Sequence, residues 1–73
     1  MLRYATGERV EANDEVVLRA KPASEQFVVI EDQPNGLCKI RSFAHEKESG
    51  KRIELDYFDE VHCENLILVK KSH

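Results

Sequence analysis

The chain is most constrained by Phe27-Val28-Val29-Ile30, followed by Glu31-Asp32-Gln33-Pro34-Asn35-Gly36 and then Leu37-Cys38-Lys39-Ile40-Arg41-Ser42-Phe43. Apolar β-formers run into a corner where Pro presets φ, Asn tolerates the bridge or left-handed region and Gly takes a positive φ without strain. The stretch reads as a β-hairpin. A second hairpin follows it. The charged corner Glu46-Lys47-Glu48-Ser49-Gly50-Lys51 leads into Arg52 to Phe58, where Ile53, Leu55 and Tyr57 alternate with Arg52, Glu54 and Asp56. A period of two marks a strand with one face buried.

The remaining elements are placed by their breakers. A tight Asn13-Asp14 turn, with Asn suited to left-handed geometry, precedes a first strand from Glu15 to Arg19. Pro22, within Lys21 to Glu25, cannot donate to a ladder, so a loop separates that strand from the second, Gln26 to Glu31. The third strand runs from Leu37 to His45 and the fourth from Arg52 to Phe58. Asp59 to Asn65 has no period and fits one helical or 3-10 turn. Leu66-Ile67-Leu68-Val69 then forms a last strand, and residues 70–73 a solvated, flexible tail. Five short strands at roughly 10-residue spacing predict an all-β chain, one domain over residues 1–73, closed as a small five-stranded barrel.

Residues facing each other across antiparallel strands share a face. Pairing Val29 with Ile40 and Ile40 with Tyr57 also sets Arg41 opposite Asp56 and Phe43 opposite Glu54. The inward set is then Phe27, Val29, Cys38, Ile40, Ile53, Leu55 and Tyr57. Val16 or Val17, Leu18 and the last strand close the core. Val28, Ile30, Phe43 and Phe58 fall outside, among Lys39, Arg41, Glu54 and Asp56, unless curvature or a bulge turns Phe43 inward.

Composition narrows the function classes. At 73 residues there is room for one thin core and none for an enzyme-sized buried cavity. Eleven Lys and Arg against 14 Asp and Glu, net charge -3, disfavour a nucleic-acid partner, whose affinity grows with clustered basic residues. No apolar run approaches the ~20 residues of a membrane helix, and Met1-Leu2-Arg3-Tyr4 opens no export signal, so a cytoplasmic protein without a membrane partner is expected. In a reducing compartment the two cysteines, Cys38 and Cys63, are expected to be free core thiols, although a bridge between them stays open.

Gly7-Glu8-Arg9-Val10 with Asn13-Asp14-Glu15-Val16 resembles the "G-E-x-V-x-x-G-D-x-V" opening of small bacterial SH3-like barrels of the KOW and Tudor type. Val61 to Val69 is similar to their closing turn and last strand. Asn13 stands where Gly is usual, and the glycine-rich KOW interior is absent around Lys21 to Gln26. The resemblance spans nearly the whole chain and implies an SH3-like barrel acting as a non-enzymatic interaction module.

No constellation carries chemistry. Cys38, His45, His62 and Cys63 offer zinc-type ligands but no close ligand pair, and His62 and Cys63, adjacent on an extended stretch, point apart; neither metal nor cofactor is expected. Asp56, Asp59, Glu60 and Glu64 read as a solvated acidic rim, because a barrel this small encloses no cleft to raise a carboxyl pKa. No catalytic residue is assigned. Tyr4, Phe43, Tyr57 and Phe58 are the rings available for a cation cage. Lys39, Arg41, Lys51, Arg52, Lys70 and Lys71 form a basic stripe suited to single-stranded nucleic acid, but the Arg41–Asp56 pair cancels part of its field. The expected interaction surface is the outer patch Val28, Ile30, Lys39, Arg41, Phe43 and Phe58, serving a protein partner or a homodimer. Nucleic-acid binding in transcription or translation is the alternative.

Overall fold

A computed structural model describes residues 2–72. The strands are β1 (Glu15–Leu18), β2 (Gln26–Asp32), β3 (Leu37–His45), β4 (Arg52–His62) and β5 (Leu66–Lys70). All neighbours are antiparallel, in the order β4-β3-β2-β1-β5. This is one five-stranded sheet, and β4 and β5 end it without pairing to each other. Among the described residues no helix is long and apolar enough to cross a membrane.

The turns follow their residues. At the Pro34–Gly36 corner, a 3-10 turn interrupted by a left-handed residue, Asn35 has φ 65° and Gly36 φ 77°, and the Gln33 amide donates to the Leu37 carbonyl at 2.7 Å. Asn13 is also left-handed (φ 73°), which turns its amide onto the Val29 carbonyl (2.7 Å) while the Asp14 carbonyl receives the Val29 amide (2.9 Å). The β1–β2 contact is thereby extended past its last ladder pair. The expected turn before the last strand is a 3-10 turn at Cys63–Asn65.

One face of the sheet carries the core: Val16, Leu18, Phe27, Val29, Cys38, Ile40 and Leu66, covered by Tyr4 and Val10. The covering residues sit on a loop over positions 2–10, closed by Val10 N–H to Leu2 O (3.0 Å) and Tyr4 N–H to Glu8 O (2.9 Å). Each fully buried Val, Leu or Ile stabilises the fold by roughly 1.5–3 kcal/mol relative to exposure.

Three expectations need correction. First, β4 continues to His62, past the expected end at Phe58, because Leu37 to Arg41 supply a ladder for residues 58–62. Second, the β3–β4 register holds only in part. Val29–Ile40 and Phe43–Glu54 pair as expected, but Ile40 faces Asp59 and Arg41 faces Phe58. Between these two segments Ser42 alone faces Leu55, Asp56 and Tyr57, a bulge that shifts the register by two and so leaves every side chain on its original face. Third, residues 70–72 are not a free tail: Lys70 is the last residue of β5, opposite Glu15, and Lys71 and Ser72 are docked on Asp14, while His73 lies outside the described residues.

Candidate functional site

The bulge decides which apolar residues are uncovered. Ile53, Leu55 and Tyr57 share the core's face, as expected, yet they are not buried: they remain 44%, 43% and 45% exposed. They lie on the half of β4 that runs beyond the covering loop. Of that row, Tyr57 reaches inward to Phe27, with ring centroids 6.3 Å apart. The loop before β2 forms the opposite wall of an open cleft of about 370 Å³, lined by Lys21, Glu25, Phe27, Ala44, Leu55 and Tyr57 among others. Lys21 Nζ stands 5.8 Å from the Tyr57 ring centre, so a cation already occupies one ring face.

On the outer face the expected patch is only partly open. Val28 and Phe43 do point outward, but they are 1% and 4% exposed. Arg52 lies over the Phe43 ring (5.6 Å) while pairing with Glu15 (3.5 Å), and His45 meets Phe43 edge-on at 5.4 Å. Arg41, opposite Val28, reaches Glu54 (3.7 Å) and Asp56 (3.3 Å). The expectation that Val28 and Phe43 form an exposed apolar surface is therefore corrected: both are buried, and the Arg52 side chain lies across the Phe43 ring. Phe58 is 47% exposed and is stacked by Arg41 (4.8 Å) and Lys39 (5.7 Å). Val28, Ile30, Arg41 and Phe58 do converge, lining one shallow outer hollow with Asn13. Phe43 is not part of it.

The edge of β4 is itself guarded. At the bulge the Leu55 carbonyl receives the Nε–H of Arg41 from β3 at 2.6 Å. Further along, the Asp59 carboxylate accepts the Glu60 amide at 2.8 Å. A bulge discourages addition of another strand. Side chains, then, are what β4 offers to a partner.

A second site was not anticipated from sequence. Asp14 has no solvent exposure, yet its carboxylate accepts from Tyr4 OH (2.6 Å), Glu11 N–H (3.0 Å), Lys71 Nζ (2.9 Å) and Ser72 N–H (2.9 Å). Lys71 also donates to the Arg9 carbonyl (2.7 Å) and pairs with Glu11 (2.9 Å). Burial pushes the Asp14 carboxyl upward, but the bonds from Tyr4, Lys71, Glu11 and Ser72 outweigh it and hold it below the usual range. Burial, then the bond to Asp14, lifts the Tyr4 phenol far above its ordinary value. For Lys71, desolvation opposes the charge but the bonds to Glu11 and Asp14 prevail, raising it. The cluster joins the loop over residues 2–10, the Asn13–Asp14 turn and Lys71–Ser72 at one carboxylate.

The other candidate sets do not assemble. Tyr4 lies in the core, Tyr57 on the core's side of β4, and Phe43 and Phe58 on the outer face, so no aromatic cage forms. Arg41, Arg52 and Lys71 of the basic stripe are all in ion pairs. Among the described residues no group of three or more His, Cys, Asp or Glu is placed to hold a metal. Both cysteines are free. Burial pushes the Cys38 thiol up to about 11, and Cys63 Sγ donates to the Arg3 carbonyl at 3.2 Å. Comparison of the chain with protein-family models, curated proteins and solved structures gives no match.

Proposed function

We propose that the chain is a non-enzymatic, cytoplasmic protein-interaction module, an SH3-like barrel left open on one side, whose contact face is the core-side row Ile53, Leu55 and Tyr57 with the adjoining cleft. Three large apolar side chains at alternate positions of one edge strand, each more than two-fifths exposed, carry this reading. The meander order, with β5 returning beside β1, supports the barrel. Contiguous apolar surface on a small domain usually marks a contact site. The interface thus moves from the outer patch to the opposite face of β4. The net charge of -3 and the paired arginines weigh against nucleic acid.

The reading is tested by affinity capture with the native chain and with Leu55→Ser and Tyr57→Ser, nuclease and salt controls included. Retention of a defined protein by the native chain, lost in both variants, is expected. Nuclease-sensitive retention of RNA or DNA, abolished by salt and unchanged in the variants, would replace this reading with the nucleic-acid one.

A further inference from the structure

We propose that Cys38 and Cys63 are a redox-sensitive pair: in the folded chain an oxidant closes them to a disulfide, and closure releases the covering loop from Cys63. The ladder places them together. Cys38 faces Val61 across β3 and β4, and Cys63 follows Val61 by two residues, so the two cysteines are diagonal neighbours. They also share the core's face, since Cys38 belongs to the buried cluster while Val61 and Cys63 pack against it. Burial pushes the Cys38 thiol up, and the neighbouring Cys63 adds to that shift. Diagonal Cα atoms stand roughly 7–8 Å apart, and a disulfide accepts up to about 6.8 Å. The remaining movement falls on the Cys63–Asn65 turn, which lies past the last ladder pair, Leu37–His62, and starts without a side-chain cap. A turn outside the ladder shifts without breaking strand pairing.

Access sets the order of events. Cys63 is partly exposed and Cys38 fully buried. With a small-molecule disulfide such as oxidised glutathione, the Cys63 thiolate attacks one glutathione sulfur, forms a mixed disulfide and expels one glutathione thiolate. Cys38, once deprotonated, attacks Cys63 Sγ and expels the second. The two protein thiols lose two protons and two electrons, and the oxidant becomes two molecules of glutathione. In a reducing compartment the pair rests as the two free thiols of the structure. As a thiol, Cys63 Sγ donates to the Arg3 carbonyl of the covering loop at 3.2 Å; as a disulfide it has no proton to donate. Oxidation therefore reaches the loop that carries Tyr4 and Val10 over the core.

The test incubates the full chain, dilute and without denaturant, in glutathione buffers from reduced to oxidised, followed by acid quenching, alkylation and intact-mass spectrometry. In the oxidised buffer the native chain should become lighter by two hydrogens, take no alkyl group and yield one peptide pair joined through Cys38 and Cys63. Cys38→Ser should stop at a glutathione adduct on Cys63. In the bridged chain, amide hydrogen exchange at Tyr4 and Val10, whose N–H groups close the covering loop, should run at least about threefold faster, the effect of losing one weak S–H bond. Two thiols that persist in the oxidised buffer overturn the pair. So does a native chain that stops at glutathione adducts, or one that bridges only to other chains. A bridge that leaves exchange at Tyr4 and Val10 unchanged overturns the release of the loop.

Discussion

At Asp14 a charge sits fully out of water and is held by four donors from three separate stretches of chain, whereas at Ile53, Leu55 and Tyr57 oily side chains stand nearly half in water with little against them. Each is the reverse of what its chemistry favours alone. Burying an unpaired carboxylate costs several kcal/mol, and this one persists because every donor is aimed at it. Exposing an apolar side chain costs less, because much of any protein surface is apolar. The two regions therefore differ in what they answer for. The Asp14 cluster ties the covering loop, the first turn and the last residues into one unit, and its value is stability. The β4 row contributes little to the isolated fold, and its value lies in contact.

The comparison breaks most visibly at Asp14. Asp14→Ala strands Tyr4 OH and two backbone amides and takes from Lys71 one of its partners, so urea unfolding should show a loss of about 3–5 kcal/mol. Next comes acid. Because the Asp14 carboxyl titrates below its unfolded value, its contribution is complete above about pH 4 and is lost as pH falls through the lowered folded value. In Asp14→Asn that acid limb should flatten. At the other extreme, Tyr4 and Lys71 titrate above their unfolded values, so their contribution is complete below about pH 10 and fades as pH rises beyond it. A smaller effect, about 1–2 kcal/mol by the same unfolding measurement, is expected for Tyr4→Phe, which removes one donor and leaves three. Least of all, Leu55→Ser should shift stability by about 1 kcal/mol or less, since its side chain is already 43% exposed. A loss as large as that of Asp14→Ala would place Leu55 in the core and erase the contrast.

Much of the architecture could be read from residue order because the deciding forces are local. The Pro-Asn-Gly corner, left-handed Asn13, the limits of β3 and the Val29–Ile40 pair all follow from backbone preferences and period. Faces were legible too: Val28, Phe43 and Phe58 do point away from the core, and Ile53, Leu55 and Tyr57 toward it. Alternation reports which side a residue faces, however, and not whether that side is covered. Arg52 shields Phe43 from across the sheet, while no residue of the covering loop lines the cleft beside Leu55. The Ser42 bulge, which lengthens β4 and slips its register, depends on how β3 and β4 settle together. Asp14 was not legible as a buried charge, since only its Glu11 partner is local and the others lie ten residues before it and nearly sixty after it.

That last feature has a mechanical consequence. Tyr4 and Ser72 hang on the two oxygens of one carboxylate, through Oδ2 and Oδ1 respectively, so the beginning and end of the described chain are knotted at a single point. Tension applied at residues near the two ends loads that point before it reaches any strand pairing. The few bonds there share the load poorly, whereas β1 lies between β2 and β5 and is braced on both sides. Stretched from its ends, the protein should yield first with a short, low-force step at Asp14, releasing the covering loop while the sheet still holds.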